Sequence, residues 1–276
     1  MNKGIISILG CGWLGLSLGK HLISKGFLVK GSVTDTSKFG ILSAAGISPY
    51  RVVLNETVAI VVDQTFFDCD VLIVAVPPRR ISHIGRIFPA KIAQLIPLIL
   101  QSGLPNVLFI SSTSVYPDKN QVAIEDDDFV PSKESGKALR RAENLLNSLT
   151  DFRTTTLRFG GLIGADRNPS RFLQKSLHPV PNVPVNLIHQ DDCIGIISAI
   201  IEQELWGETL NACCPEHPLK KDFYGRAAQI SVLPEPLISE QPEAYKIVDS
   251  SKLVRLLNYQ FKYSSPMDYL ETLIPK

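Results

Sequence analysis

Three glycines near the start of the chain have a spacing that suits phosphate binding. Gly10, Gly12 and Gly15 occur in ILGCGWLG, directly after an apolar segment and directly before an amphipathic one. Gly10 permits a tight turn, Gly12 lets the backbone approach a pyrophosphate, and Gly15 allows close packing of helix on strand. The amides at the helix start then face the phosphates. The predicted cofactor contacts of this turn are Gly10, Cys11, Gly12, Trp13, Leu14 and Gly15.

A carboxylate follows at the end of the next predicted strand. Asp35 stands where an acidic side chain accepts hydrogen bonds from the adenosine ribose, which favours NAD. Two alternatives stay open at this point. The hydroxyl groups of Thr34, Thr36 and Ser37 and the amine of Lys38 could instead surround the 2′-phosphate of NADP, and Asp35 could cap the short helix that follows. We therefore predict NAD or NADP as the cofactor, with NAD slightly preferred.

The elements that must position these residues follow from hydrophobic periodicity. Strands are predicted at 4–9, 27–33, 48–54, 71–76, 107–110 and 154–159, and helices at 14–25, 38–45, 90–102 and 136–149. Pro97 should kink or restart the third helix because it has no amide donor. Apolar strands separated by helices imply a parallel sheet covered on both faces. We predict an α/β fold, a Rossmann-type doubly wound parallel sheet with a small C-terminal substrate lobe.

The last third of the chain has a different organisation, because prolines break it into loops after residue 164. We predict an NAD(P)-binding domain over 1–164, completed by about 186–214. Residues 165–185 and 215–276 are assigned to a small substrate-binding lobe. Asp192 precedes an apolar periodic run and is predicted to be the N-cap of a helix.

Two further strand ends are predicted to contact the cofactor. Val76, Pro77 and Pro78 close the fourth strand at its carboxyl end, where ligands bind in such sheets. The two prolines cannot continue the strand because they lack amide hydrogens. Ser111, at the end of the fifth strand, is predicted to contact the cofactor as well.

Several motifs resemble those of the extended short-chain dehydrogenase/reductases. FISSTSVYP at 109–117, TTLRFGGLIGADRNP from Thr154, VNLIHQDD from Val185 and LNACCPEHP from Leu210 occur in that order. Together with GCGWLG, VPPRR and KIVDSSKLVRLLNY, they resemble the atypical YeeZ-type branch of the NAD-dependent epimerase/dehydratase family. The resemblance covers essentially the whole chain. It implies an NAD(P) cofactor and a small-molecule substrate such as a nucleotide sugar.

The same resemblance places Ser112 at the family's catalytic serine or threonine, which polarises a substrate hydroxyl or carbonyl. The alternative is that this serine only ends a strand and bonds local backbone. The family's Tyr-x-x-x-Lys pair is missing. Anchoring on Glu143 puts Ser135 at the tyrosine position and Leu139 at the lysine position, whereas anchoring on Lys137 puts Lys133 at the tyrosine position.

Without the phenol, the usual mechanism should lose roughly the 10² to 10⁴ in rate that general acid–base catalysis contributes. Tyr116 and Lys137 are candidate substitutes, although a tyrosine after a strand-end valine is often simply packed with its hydroxyl bonded. A non-catalytic NAD(P)-sensing protein is therefore the main rival to an enzyme. A hydroxyacid- or prephenate-type dehydrogenase is disfavoured by the strand-rich middle of the chain.

Three arginines lie in and after the segment that borders the substrate in extended family members. Their guanidinium groups suit a diphosphate or a carboxylate. Surface salt bridges are the alternative role. The predicted substrate contacts are Arg158, Arg167 and Arg171.

Bulk composition excludes several kinds of partner. With 28 basic and 27 acidic residues, no global field recruits nucleic acid or an anionic membrane. Five cysteines fit neither zinc spacing nor a disulfide framework, so we predict no metal, reduced thiols and a cytoplasmic location. Apolar helices around 92–100 and 139–149 could pair two subunits of a homodimer, although burial against the sheet explains their pattern equally well.

Overall fold

A computed structural model describes residues 3–78, 81–172, 178–239 and 241–274. The strands, in chain order, are β1 (Ile5–Leu9), β2 (Leu28–Val33), β3 (Ser48–Leu54), β4 (Ala59–Val61), β5 (Val71–Val74), β6 (Asn106–Ser112), β7 (Gln121–Ala123), β8 (Arg153–Phe159), β9 (Gly161–Ile163), β10 (Val180–Pro181), β11 (Leu187–His189), β12 (Thr209–Ala212), β13 (Ile238–Ser239) and β14 (Lys246–Val248). The α-helices are α1 (Trp13–Ser24), α2 (Phe39–Ala44), α3 (Ile84–Ala93), α4 (Ile96–Ser102), α5 (Glu134–Asn147), α6 (Gln190–Glu202), α7 (Lys220–Ile230), α8 (Ser251–Leu257) and α9 (Pro266–Glu271).

The central sheet has eight strands in the order β12-β8-β6-β5-β1-β2-β3-β4. Strand β1 pairs in parallel with both β2 and β5, and β2–β3 and β5–β6 are parallel as well. The short β4 runs antiparallel to β3. The strand order reverses at β1, so the carboxyl ends of β1 and β5 flank a topological switch point. The predicted Rossmann-type doubly wound sheet is confirmed.

Apolar burial explains why the first βαβ unit folds where the sequence predicts it. Leu14, Leu18 and Leu22 recur every four residues along α1, and all three are buried. This spacing places them on one face of the helix. The four residues of β5 are also all buried, as expected for a strand with both faces covered.

The helical segment predicted at 90–102 forms two helices, with the restart that was predicted at Pro97, and only its predicted start is wrong. Helix α4 begins at Ile96 with Pro97 in its first turn, where a missing amide costs nothing. Helix α3 begins earlier than predicted and contains Pro89. Pro89 cannot bond the carbonyl of Gly85, four residues before it. Nη1 of Arg141 donates to that carbonyl at 2.9 Å and so replaces the lost helical bond.

The prediction that Asp192 is an N-cap is also wrong. Helix α6 begins at Gln190, so Asp192 lies in its first turn. Its Oδ1 accepts a hydrogen bond from the amide of Lys262 at 2.7 Å, and its Oδ2 accepts one from the amide of Tyr263 at 3.2 Å. The hydroxyl of Tyr259 donates to Oδ1 at 3.1 Å. This buried carboxylate therefore holds the segment after α8 rather than the start of its own helix.

The chain divides into two compact units. Unit 1 comprises Met1–Val115, Pro131–Arg158 and Ile200–Thr209, and unit 2 comprises Tyr116–Val130, Phe159–Ala199 and Leu210–Lys276. A core cluster of unit 2 packs α7 and α9 against buried strand residues; its members are Ile163, Val185, Leu187, Phe223, Ala227, Tyr269 and Leu270. Across the described ranges, no helix is both long enough and apolar enough to cross a membrane.

Candidate dinucleotide-binding site

The three glycines of the turn after β1 are required for three different reasons. Gly10 has φ +102°, in the left-handed region that favours glycine, and a Cβ on it would lie 3.1 Å from the carbonyl oxygen of Ala75. A Cβ on Gly15 would lie 2.6 Å from the carbonyl oxygen of Gly10. Gly12 is exposed, and no heavy atom lies within 4 Å of a Cβ placed there. Gly10 is therefore required for the left-handed backbone of the turn, and Gly15 is required for close packing of the helix on the turn. The lack of a side chain at Gly12 leaves open space for a ligand.

Backbone hydrogen bonds hold this turn against the end of β2. The amide of Cys11 donates to the carbonyl of Ser32 at 2.8 Å, and the amide of Gly10 donates to Oγ of Ser32 at 3.1 Å. The amide of Leu16 bonds the carbonyl of Gly12 at 2.9 Å. The amide of Leu14 lies two residues earlier, in the first turn, and has no carbonyl acceptor within the helix. Such helix-start amides are the groups that bind anions.

A cleft of about 310 Å³ lies in unit 1 at the carboxyl ends of neighbouring strands. Its lining comes from the ends of β1, β2, β3 and β5 and from α3: Leu9, Gly10, Ser32, Val33, Thr34, Val52, Val53, Leu54, Asn55, Val76, Pro77, Ile81, Ile84, Ile87, Phe88, Lys91 and Ile92. The walls are mostly apolar, and the glycine turn forms one end. The glycine turn at one end and the apolar walls from β3 and α3 therefore fit a dinucleotide.

The predicted cofactor residues occupy different positions around this cleft. Val76 and Pro77 line it, whereas Pro78 is half-buried beyond it. The Cys11 side chain is buried, and its Sγ lies 2.6 Å from where a Cβ on Gly31 would stand. Burial raises the pKa of the Cys11 thiol to about 12, so it stays protonated. Cys11 thus fills the space under the turn.

Asp35 is exposed directly after β2. Its Oδ1 accepts a hydrogen bond from the amide of Ser37 at 2.9 Å and so caps the short 3-10 helix Thr36–Lys38. That bond holds the pKa of the carboxyl below its usual value, with smaller contributions from Lys38 and Arg51. The capping role weighed for Asp35 is therefore present. It fixes a carboxylate beside Thr34, which lines the cleft.

A buried ion pair lies next to the carboxyl end of β6, the strand that carries the predicted catalytic Ser112. The carboxylate of Glu143 in α5 accepts bonds from Nε and Nη2 of Arg158 at 3.1 and 2.8 Å. Oγ of Ser111 donates to the same carboxylate at 2.6 Å, and Arg140 adds a contact at 3.2 Å. The side chains of Arg158 and Glu143 are 1% and 0% exposed. The network therefore joins β6, β8 and α5.

This network was not predicted, although one signal was available. Residues Leu139, Ala142, Glu143 and Leu146 share the buried face of α5, so an acidic residue stands in an apolar pattern. A buried carboxylate requires a cationic partner. The burial of Arg158 leaves almost no surface for a substrate, so its predicted substrate contact finds no support in this geometry.

The start of α5 packs directly against the turn that follows Ser112. Gly136 is required there, because a Cβ would overlap the carbonyl oxygen of Ser114. Oγ of Ser112 accepts a hydrogen bond from the amide of Ser114 at 3.2 Å. Nζ of Lys137 contacts Oε1 of Glu134 at 2.8 Å and is half-buried. The structure thus brings Ser112 and the beginning of α5 together.

Tyr116 has a structural environment in unit 2. Its side chain is 2% exposed and its ring packs on Phe129, with ring centroids 4.6 Å apart. Its hydroxyl donates to Oδ1 of Asn211 at 2.8 Å. Asn211 is itself fully buried, and its backbone N–H donates to Oε1 of Glu125 at 2.7 Å. The packed alternative for Tyr116 is therefore the one that this geometry favours.

The remaining predicted arginines also lie in unit 2. Arg167 is exposed, and its amide bonds the carbonyl of Gly164 at 2.9 Å. The backbone of Arg171 ends the short helix Pro169–Arg171, and its side chain lies outside the described residues. Within the described parts of the chain, no three His, Cys, Asp or Glu side chains group as they would around a metal.

The packing at Gly15 gives a first prediction. Gly15→Ala should lower the free energy of unfolding by about 1–3 kcal/mol, because the new Cβ must push the Gly10 carbonyl away and overpack the turn. Urea unfolding followed by circular dichroism measures this. Gly40→Ala is the matched control, since a Cβ there meets no atom within 4 Å. Equal stability of the two variants would contradict the packing role of Gly15.

Comparison with known proteins agrees with this architecture. The chain has the fold of short-chain dehydrogenase/reductases. A putative NAD-dependent epimerase/dehydratase from Methylobacillus flagellatus superposes with a TM-score of 0.76 at 23% identity, over 98% of this chain and 97% of that one. UDP-glucuronic acid 4-epimerase from Bacillus cereus, in complex with UDP-glucuronic acid and NAD, gives 0.74 at 20% identity, over 97% and 96%.

The chain is a homologue of protein YeeZ from Escherichia coli K12. The two are 29% identical over 266 residues, which cover 95% of this chain and 97% of YeeZ. No protein-family model matches the chain. The resemblance drawn from FISSTSVYP and the other motifs is therefore confirmed at the level of this relative and of the fold.

Proposed function

We propose that this protein binds NAD(H) in the cleft of unit 1 and acts as an atypical short-chain dehydrogenase/reductase on a nucleotide-sugar-like substrate. The observation that carries the proposal is the open space at Gly12 beside a cleft at the switch point of the sheet. The NAD and UDP-glucuronic acid in the Bacillus cereus epimerase complex support this choice of ligands. When bound, the nicotinamide cofactor supplies hydride transfer.

The residues around the cleft divide the binding of the dinucleotide among them. The amides of Leu14 and Gly15 at the start of α1 bind the pyrophosphate that approaches over Gly12. Asp35, held in place by the Ser37 amide, accepts bonds from the adenosine ribose hydroxyls. The apolar walls from β3 and α3 exclude water from the adenine. Each group is placed before the ligand arrives, which lowers the entropic cost of binding.

Ser112 is the proposed catalytic residue. Because its Oγ accepts a bond from the Ser114 amide, its own proton is available to an oxygen of the substrate. That proton would polarise a substrate carbonyl or hydroxyl. Arg167 and Arg171 are the proposed contacts for the substrate diphosphate, and Arg158 is assigned to the buried pair with Glu143.

A non-catalytic NAD(P)-sensing protein is the second candidate, and one observation favours it. With Glu143 as the anchor, the family lysine falls at Leu139, which is 3% exposed in the core of unit 1. The family tyrosine falls at the half-buried Ser135. A serine hydroxyl holds its proton too strongly to serve as the missing base near neutral pH. On this alternative, binding persists and turnover is lost.

The two candidates are separated by one assay. Purified protein is incubated with NAD⁺ and a panel of UDP-sugars, and the absorbance of reduced nicotinamide is followed. A signal that depends on one sugar nucleotide and falls about 10²-fold in Ser112→Ala supports the enzyme. Binding of NADH without any such signal supports the sensor. The absence of both binding and turnover contradicts both candidates.

A cytoplasmic location and a homodimer also remain proposals. All five cysteines are free, and burial raises the pKa of Cys214 to about 12, which suits unreactive thiols in a reducing compartment. Leu139 and Leu146 of the predicted dimer helix are buried within the chain itself. Burial against the sheet therefore accounts for that apolar pattern without a second subunit.

A further inference from the structure

Arg51 lies beside the carboxylate proposed to bind the ribose. It pairs with Val33 in the parallel ladder of β2 and β3. Its Nε donates to the carbonyl of Thr34 at 3.3 Å, which brings the guanidinium to the carboxyl end of β2. Asp35 is the next residue along the chain. The positive charges of Arg51 and Lys38 both act on the Asp35 carboxylate.

A second groove of about 380 Å³ lies in unit 1 at this point. It is lined by Thr36, Phe39, Ser48, Pro49, Tyr50, Arg51, Val62 and Asp63. Thr34 lines the cleft and Thr36 lines the groove, so Asp35 stands between the two along the chain. Asp35 is exposed, and the groove beside its neighbour Thr36 offers room for a group larger than a ribose hydroxyl.

The positive charges of Arg51 and Lys38 offset the negative charge of Asp35, so a phosphate can bind beside this carboxylate. Asp35 alone would repel the 2′-phosphate of NADP, which is the usual basis of preference for NAD. Across the described ranges, the Arg51 side chain makes no hydrogen bond other than the one from its Nε. Its two Nη groups therefore remain as donors in the planar geometry that matches a phosphate. Lys38 is a second positive charge that acts on the Asp35 carboxylate.

We propose that Arg51 binds the 2′-phosphate of NADP(H), so that the protein accepts both NAD(H) and NADP(H) in one cleft. The inference rests on the proposed dinucleotide site and adds the residue that decides between the two cofactors. Asp35 bonds the ribose hydroxyls of NAD(H). With NADP(H), Arg51 and Lys38 offset the repulsion between Asp35 and the phosphate.

Calorimetric titration of NADH and NADPH into wild-type protein and two variants tests this. We expect wild-type affinities within about tenfold of each other. Arg51→Gln should weaken NADPH binding about tenfold or more, since it removes a hydrogen bond to a charged group, and should leave NADH within about twofold. The matched control is Arg86→Gln, which removes an exposed guanidinium of the same unit that pairs with Glu56 at 3.0 Å. It should leave the ratio of the two affinities unchanged.

Two outcomes overturn the role of Arg51 while leaving the dinucleotide site intact. One is wild-type protein that binds NADH but binds NADPH more than about 100-fold weaker. The other is an Arg51→Gln variant that loses both cofactors equally. If Arg51→Gln fails to fold, Asp35→Asn tests the same charge balance and should raise the affinity for NADPH relative to NADH. Failure of wild-type protein to bind either cofactor would remove the proposed function itself.

Discussion

Replacing Gly12 with valine is expected to weaken NADH binding about 100-fold or more while leaving the fold intact. The valine side chain would occupy the space through which the pyrophosphate reaches the backbone amides. Losing one or two hydrogen bonds to a charged group costs about 1.5–3 kcal/mol each, and each 1.4 kcal/mol is a factor of ten in affinity. Calorimetric titration of NADH measures the loss.

The fold should survive this change because no protein atom needs the space. The φ angle of Gly12 is −83°, outside the left-handed region. Gly40→Val is the matched control, since Gly40 is also exposed with no atom within 4 Å of a Cβ. The control should keep both its melting temperature and its affinity for NADH. Unchanged affinity in Gly12→Val would show that no nucleotide approaches this turn.

The second large effect is expected from Arg158→Met, which should lower the free energy of unfolding by about 3–5 kcal/mol. The change leaves the buried carboxylate of Glu143 with Ser111 and the more exposed Arg140 as its partners. An uncompensated buried charge is costly because it has lost its hydration. The melting temperature should fall by roughly 10 °C, as calorimetric scanning would show.

Two further variants separate the buried charge from a general effect of losing arginine. Arg226→Met breaks an exposed ion pair with Glu271 in unit 2 and should leave the melting temperature almost unchanged, because solvent screens the pair. The double variant Arg158→Met/Glu143→Leu should recover most of the lost stability, because it removes the unpaired charge as well. If Arg158→Met is no less stable than Arg226→Met, the buried pair of Arg158 and Glu143 does not stabilise the fold as we expect.

The sequence predicts the first part of the site well because local rules apply there. The strand before Gly10 and the helix after it begin and end within two residues of the predicted bounds. Apolar periodicity and the helix-ending effect of glycine depend only on residues that are close in sequence. Strand β3 has the predicted bounds of 48 and 54. The tasks of Gly10 and Gly15 in turn formation and packing are predicted from spacing, and the geometry agrees with them, whereas phosphate binding over Gly12 stays a prediction.

The features that were missed depend on residues far apart in the sequence. Helix α3 includes Pro89 because Arg141, which belongs to α5, donates to the carbonyl that the proline leaves without an amide. Glu143 and Arg158 meet only when α5 packs beside β8. Asp192 looks like an N-cap locally, yet Lys262 and Tyr263 supply its partners. No short-range pattern contains these contacts.

A titration with NADH that follows the fluorescence of Trp13 is the most direct test of the dinucleotide site. The chain has two tryptophans, Trp13 in the glycine turn and Trp206, so Trp206→Phe leaves a single reporter at the site. Titration with NADH should quench this emission and excite the nicotinamide, and both signals should saturate together. Emission that stays constant, with no heat in a parallel calorimetric titration, would contradict a dinucleotide site at this turn.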